Sequence, residues 1–197
     1  MRKFRRACIA FLLVGICAAC SIPQTKIYSL ALKNEGPTAK IKTDASVDLV
    51  VRSPRYLSQP YIAYRTSPYQ LEIARYAKWD APPAEMVKES FRNALLTTAL
   101  FKEVKVSNFV PPAFYTLEID LKRFERLDDG SGSFAELSFD LGLLSPDGKT
   151  LYRGSFQKKM KLGDRGFTSL AEALSRALSE GIDEAKAGIA EAFQGAI

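Results

Sequence analysis

Cys20 is the residue whose chemistry is best defined by its neighbours. A basic segment (residues 2–6) is followed by an apolar run (residues 7–16) and then by two alanines directly before the cysteine. This order is typical of a bacterial signal peptide, and the apolar run is too short to span a membrane. A cysteine after small residues is the thiol that receives a diacylglyceryl group in lipoproteins. The sequence therefore predicts a signal peptide over residues 1–19 and a lipid anchor at Cys20.

The cleavage site leaves two alternatives open. Cys17 stands three residues before Cys20, where leucine is usual, and signal peptidase I would also accept small residues and release an unanchored protein. Cleavage before Cys17 itself would place the bulky Ile16 at the last signal position. We favour lipidation at Cys20, with a short tether over residues 20–25. Ser21 lacks the acidic character that retains lipoproteins at the inner membrane, so it favours the outer membrane.

Residues for catalysis are scarce. The chain contains no histidine, which excludes Ser-His-Asp and Cys-His arrangements and the usual proton shuttle. Gly148-Lys149-Thr150 resembles the end of a phosphate-binding loop, but Leu143 stands where that motif needs glycine. Asp128-Asp129-Gly130 lacks the spacing of a calcium loop. A pair of carboxylates for glycoside cleavage remains an open alternative, because separation in sequence says nothing about distance in a fold. We expect no enzymatic activity, no cofactor and no metal site.

The signal peptide also accounts for most of the unusual composition. The chain carries a net charge of +6, and the four basic residues of the signal account for four of these charges, which leaves +2. A nearly neutral domain with mixed charges lacks the clustered basic residues that are typical of nucleic-acid binding. Of the three cysteines, Cys8 and Cys17 leave with the signal and Cys20 is acylated, so the mature domain must depend on a hydrophobic core rather than on disulfides.

The remaining sequence predicts one α+β domain over residues 26–197. Apolar residues at helical spacing predict a helix from Pro82-Pro83 to about Leu100 and a second helix from about Ser169 to the C-terminus. Alternating apolar residues predict strands, with long strands in the second half of the chain. The strand predictions start or lie at residues 26–30, 47–51, 61–66, 70–73, 115–122, 135–143 and 151–162. We therefore predict a mostly antiparallel sheet with two helices packed on one face.

Several short motifs of the mature chain are similar to those of the ABC-type transport auxiliary lipoproteins. The most specific is an aromatic block that leads into the first helix. The motifs are Tyr28-Ser29-Leu30, Arg55-Tyr56-Leu57, Tyr61-Ile62-Ala63-Tyr64-Arg65, Tyr76-Ala77-Lys78-Trp79-Asp80-Ala81-Pro82-Pro83, Phe101-Lys102-Glu103-Val104, Tyr115-Thr116-Leu117 and Phe124-Glu125. The resemblance covers nearly the whole mature chain, and the cysteine three residues before Cys20 is its one departure.

The resemblance implies an outer-membrane lipoprotein that works in the periplasm beside an ABC-type transporter. The implied partner is an MCE-domain protein or the ABC permease complex, and the implied cargo is lipid. Self-assembly into a homo-oligomer is also open. A different class of function is an envelope structural or assembly lipoprotein that binds an outer-membrane protein, glycolipid or peptidoglycan without a transporter.

Tyrosine, tryptophan and arginine dominate the energetics of many interfaces, so we select such residues from the motifs as candidates for partner contacts. They are Arg55, Tyr56, Tyr61, Tyr64, Arg65, Tyr76 and Trp79. For Trp79 we favour a place in the core over a surface contact, and for Arg55 and Tyr56 both alternatives remain open.

Overall fold

The computed structural model describes residues 23–32, 44–98, 100–107 and 111–194. The signal peptide, Cys20 and Ser21 therefore lie outside the described residues. The strands are β1 (Lys26–Tyr28), β2 (Ser46–Arg52), β3 (Tyr61–Ser67), β4 (Gln70–Trp79), β5 (Glu103–Lys105), β6 (Tyr115–Asp129), β7 (Gly132–Leu144) and β8 (Thr150–Lys161). The helices are α1 (Pro83–Thr98) and α2 (Phe167–Gln194), with a short 3-10 helix at Arg55–Ser58.

Within the described residues, the eight strands form one mixed sheet around the long central strand β6. The meander β6–β7–β8 is antiparallel, whereas β2 and β3 both run parallel to β6. Because β7 follows β6 along almost its whole length, β2 and β3 share the other edge of β6. The 3-10 helix fills the break between them. Beyond β3 lie β4 and then the edge strand β1.

A β-bulge in β6 exchanges the two sides of the sheet. Leu121 pairs with Phe139 and Arg123 pairs with Ser138, so Lys122 is an extra residue without a partner in β7. Side chains alternate between the faces of a strand, and one extra residue reverses that alternation. The apolar face therefore passes from Leu121 to Phe124, and Glu125 points to the opposite face.

Both helices cover the apolar face, which we call the inner face. The seven apolar positions of the α2 stripe, at residues 170, 174, 178, 182, 185, 189 and 193, are all buried. On the sheet, Phe91 of α1 packs edge-on against Phe139 with the ring centroids 5.5 Å apart. Gly181 lets α2 approach closely, since a Cβ atom there would lie 2.7 Å from the Phe139 ring.

The structure confirms the predicted α+β class, with two helices on one face of the sheet. The sheet is mixed, and its antiparallel pairings are the longer ones. The parallel pairings of β6 with β2 and β3 were not part of the prediction. Helix α2 begins at Phe167, two residues before the predicted start, and the Asp164 carboxylate accepts a hydrogen bond from the Gly166 N–H.

Candidate functional site

A fully buried carboxylate lies on the face of the sheet that the helices leave uncovered, which we call the outer face. Glu125 is 0 % exposed. Its Oε1 accepts hydrogen bonds from Arg65 Nε at 2.6 Å and from Arg123 Nη1 at 2.7 Å. Its Oε2 accepts one from the Tyr56 hydroxyl at 2.9 Å. We call these four residues the Glu125 cluster.

Three separate features of the chain bring the Glu125 cluster together. The bulge at Lys122 turns Glu125 to the outer face. The 3-10 helix between β2 and β3 is held by Leu57, which is completely buried in the core, and this places Tyr56 above β6. Arg65 lies on β3 in register with Leu127 of β6, on the same face as Glu125. The cluster is therefore a product of tertiary pairing and not of any single motif.

The cluster changes the acidity of the Tyr56 phenol. Burial raises the pKa of the Tyr56 phenol well above its usual range, and the charge of Glu125 and the hydrogen bond to it add to the effect. Two guanidinium groups neutralise Glu125, whose carboxylate has no exposed surface. A carboxylate in this setting binds and orders its three neighbours.

A shallow pocket of about 580 Å³ opens beside the cluster on the outer face. Tyr56, Arg65 and Arg123 form one side of it, and side chains of β7 and β8 form the other, including Asp140 and Gln157. Lys122 forms an ion pair with Asp140, which also accepts a hydrogen bond from Ser155. The pocket is polar and its charges are largely paired, which suits contact with a polar protein surface.

Tyr64 lies on the inner face, apart from the Glu125 cluster. Its ring stacks against the Arg126 guanidinium, with 4.9 Å from Cζ to the ring centroid. Its hydroxyl donates to Glu72 Oε2 at 2.7 Å, and this hydrogen bond raises the pKa of the phenol. Arg126 also bonds to Asp128 and to the Arg165 carbonyl before α2. Tyr64 therefore belongs to a contact between the sheet and the start of α2.

The other candidate residues occupy three different environments. Trp79 is 1 % exposed and packs edge-on against Phe124, so the structure places it in the core. Arg55 is exposed on the 3-10 helix beside Tyr56. Tyr61 and Tyr76 are exposed on the outer face, away from the Glu125 cluster. Of the seven candidates, only Tyr56 and Arg65 share a hydrogen-bonded network, and Arg55 lies next to it in the chain.

Two members of the cluster were not selected from the sequence as site residues. Glu125 appeared only as part of a strand motif, and Arg123 was not singled out. A simple alternation from Leu121 would place Arg123 inside and would hide the bulge. The available signal was the break in alternation between Leu121 and Phe124, two apolar residues that are three positions apart.

The structure gives few indications of other sites. Within the described residues, no group of three or more potential ligands is arranged to hold a metal ion. No helix in those ranges combines the length and apolarity needed to cross a membrane. A groove of about 1050 Å³ separates α1 from α2, and its lining mixes apolar side chains such as Leu30, Met86 and Leu96 with charged ones such as Glu89 and Arg176.

Comparison with known proteins identifies a matching family and solved structures with a similar fold. The family model for ABC-type transport auxiliary lipoprotein components matches residues 28–185. Protein XCC0632 of Xanthomonas campestris, from the DUF330 family, superposes with a TM-score of 0.69 at 21% identity, covering 83% of this chain and 93% of that one. A second solved structure, of an uncharacterized protein, gives a TM-score of 0.64 at 18% identity, covering 84% and 99%.

The two solved structures support the fold and no more at this level of identity. A search of curated proteins gives no significant match. The family match, in contrast, extends from the end of β1 to the middle of α2 and includes every strand of the Glu125 cluster. The chain therefore belongs to the family of ABC-type transport auxiliary lipoprotein components.

Proposed function

We propose that this protein is a non-enzymatic lipoprotein of the outer membrane that serves, on the periplasmic side, as the auxiliary subunit of an MCE-associated ABC lipid transporter. Family membership supports the auxiliary role in ABC-type transport. The association with an MCE protein, the lipid cargo and the location in the outer membrane are finer points, and they rest on what the resemblance of the sequence motifs implies.

One observation carries the proposal. The motifs around Tyr56 and Arg65 meet the distant motif around Glu125 in one hydrogen-bonded cluster on the uncovered face of the sheet. The cluster fixes the 3-10 helix and leaves Arg55 exposed at its rim. Tyrosine and arginine side chains that are already ordered lose little entropy when they bind a protein. The outer face around the Glu125 cluster is therefore our candidate docking surface for the MCE protein or the permease complex.

The membrane anchor in this proposal is Cys20. The chain between Cys20 and the start of β1 at Lys26 is six residues long, which spans at most about 20 Å when fully extended. The folded domain would therefore remain close to the membrane surface. Replacing Cys20 with alanine should release the protein from the membrane fraction and remove the acyl mass. A Cys20→Ala variant that kept both would contradict lipidation.

The docking claim can be tested by site-specific photo-crosslinking in intact cells. A photoreactive residue at Arg55 should capture an MCE-domain or permease protein, identified by mass spectrometry. The matched control is Glu172, which is exposed on α2 at the helical side of the sheet, and we expect no such adduct from it. If Arg55 captured a barrel-assembly or cell-wall protein instead, the alternative of an envelope assembly factor would replace the transporter proposal.

A further inference from the structure

Four large apolar side chains are exposed at one corner of the outer face. Ile27 is 61% exposed, Tyr61 45%, Tyr76 44% and Ile73 40%. We call these four residues the corner patch. Exposed apolar residues are common when scattered, but several together on one surface indicate a contact with another apolar surface.

The strand register shows that the corner patch is one surface. Lys78 of β4 pairs with Ile27 of β1 on one side and with Tyr61 of β3 on the other. Tyr76 lies two residues before Lys78 on the same strand. Ile73 pairs with Ala63, which is two residues from Tyr61, because a register shift in β4 between these two pairs offsets the usual alternation. All four side chains therefore lie on the outer face of the three adjacent strands β1, β4 and β3.

Two basic side chains of β4 lie beside the corner patch without ion-pair partners in the described chain. Arg75 and Lys78 are exposed, and neither forms an ion pair with another described residue. Of the acids on these strands, Glu72 accepts the Tyr64 hydroxyl on the inner face, and Asp80 follows the end of β4. The corner therefore combines four exposed apolar side chains with two unpaired basic ones.

We propose that the corner patch rests on the surface of a phospholipid bilayer that contains anionic lipids. This inference depends on the proposed anchor at Cys20, which lies only seven residues before Ile27. Tyrosine rings favour the interface between headgroups and acyl chains, and lysine and arginine beside them attract anionic headgroups. The anchor supplies attachment, and the patch sets which side of the domain faces the lipid.

The charge pattern favours lipid over a second protein surface as the occupant. A protein interface with this corner would need acidic groups opposite Arg75 and Lys78. An anionic bilayer supplies them at every position, and the short tether already holds the β1 edge near it. Burial of the corner patch against a second copy of the chain, or against another protein, is an outcome that the test below separates.

A cysteine label can measure this contact in the lipidated protein. If Cys20 is acylated, the mature chain has no free thiol, so an introduced cysteine is the only site for an environment-sensitive fluorophore. The test variant is Ile73→Cys. The matched control is Gln157→Cys, which is exposed on the same face but on the opposite edge strand, β8. Circular dichroism shows whether each variant is folded.

The labelled proteins are placed in vesicles of phosphatidylethanolamine and phosphatidylglycerol that carry a nitroxide on an acyl chain. Flotation and the absence of labelling in the unsubstituted mature protein establish the anchor separately. With the anchor established, we expect the nitroxide lipid to quench the label at residue 73 and to leave the label at residue 157 bright. Equal, weak quenching at both positions in floated vesicles would overturn the inference.

Two further results sharpen the test. Lys78→Gln in the Ile73→Cys background removes one basic group and should lower the ratio of lipid-contacting to free label about fivefold, as expected for one charge near an anionic surface. If the residue 73 label were instead shielded from water in detergent, in proportion to protein concentration and without lipid quenching, a second copy would cover the patch and the lipid proposal would be wrong.

Discussion

On the outer face around β6, many charged side chains pair with one another. At the corner formed by β1, β4 and β3, exposed apolar side chains instead lie beside Arg75 and Lys78, which form no ion pair within the described chain. The first region contains the Glu125 cluster and the Arg52–Glu118 and Lys122–Asp140 ion pairs. The second contains the corner patch and the two basic side chains beside it. Both regions belong to the same face of one sheet.

This difference in pairing separates side chains that stabilise the domain from side chains that are available to contact another molecule. Removing a member of a buried, paired cluster leaves other groups without partners, and the fold loses stability. Removing an exposed, unpaired side chain changes little in the isolated protein. Stability measurements therefore test the paired region, and contact measurements test the corner patch.

The largest expected effect is that of Glu125→Ala. This change leaves two guanidinium groups and the Tyr56 hydroxyl without their shared acceptor, and breaking a buried ion pair costs about 3–5 kcal/mol. Denaturant unfolding of the variant should show a loss in that range. Glu125→Gln keeps the shape of the side chain, and its unfolding free energy should lie between those of the wild-type protein and Glu125→Ala. A loss well below about 1 kcal/mol for Glu125→Ala would show that the cluster does not stabilise the outer face.

Tyr56→Phe should have a smaller effect, because Glu125 keeps both arginine partners. A hydrogen bond to a charged group contributes about 1.5–3 kcal/mol, and we expect a loss near the lower end at pH 7. The loss should appear in the unfolding free energy without a change in the circular dichroism spectrum. Tyr69→Phe is the matched control, since Tyr69 is 98% exposed.

The wild-type protein and Tyr56→Phe should also differ in how their unfolding free energy depends on pH. The pKa of Tyr56 is raised in the folded protein above the unfolded value of 10.0. The stability that follows from this shift is complete below pH 10 and is lost as the pH rises through the folded pKa. The wild-type protein should therefore lose stability more steeply above pH 10 than Tyr56→Phe does. Identical slopes would mean that Tyr56 ionises freely in the folded state.

Arg52→Ala tests the exposed part of the paired region. Arg52 Nη2 lies 2.8 Å from Glu118 Oε1, but the side chains are 65% and 36% exposed. Water screens such a pair, and its contribution is about 0–1 kcal/mol. Thermal unfolding should show only a slight decrease, which salt removes. A loss of stability as large as that of Glu125→Ala would show that the exposed ion pair stabilises the domain as much as the buried cluster does.

The smallest effect on stability is expected in the corner patch. Tyr76→Ser and Lys78→Glu should each change the unfolding free energy by less than about 0.5 kcal/mol, because surface changes of this kind disturb no buried group. The same changes should weaken the contact of the anchored protein with anionic vesicles. If either variant unfolded easily, the corner would be part of the domain's own packing and not a contact surface.

Local sequence patterns were sufficient for the helices and for most of the strands. The helical spacing from Leu170 to Phe193 is buried as predicted, because a long amphipathic helix has one way to bury its stripe. The alternation in β7 likewise identified its inner face. These features depend on neighbours within one element, and the sequence displays them directly.

The Glu125 cluster could not be predicted in the same way. Its geometry depends on the bulge at Lys122 and on the parallel pairing of β2 and β3 with separate halves of β6. Both are choices between pairings of distant segments, and the break in alternation between Leu121 and Phe124 alone does not say which residue bulges or which strands lie beside β6. The motifs identified Tyr56 and Arg65 as residues of interest, but only the fold shows that Glu125 joins them and that Tyr64 lies on the other face.

The most direct test compares the two regions in one measurement in intact cells. Photoreactive residues at Arg55 and at Tyr76 are activated in parallel, and the adducts are identified by mass. We expect Arg55 to capture an MCE-domain or permease protein and Tyr76 to gain the mass of a phospholipid. If both positions captured the same partner, or if Arg55 captured no transporter component, the division of the outer face into a protein-docking region and a lipid-facing corner would be contradicted.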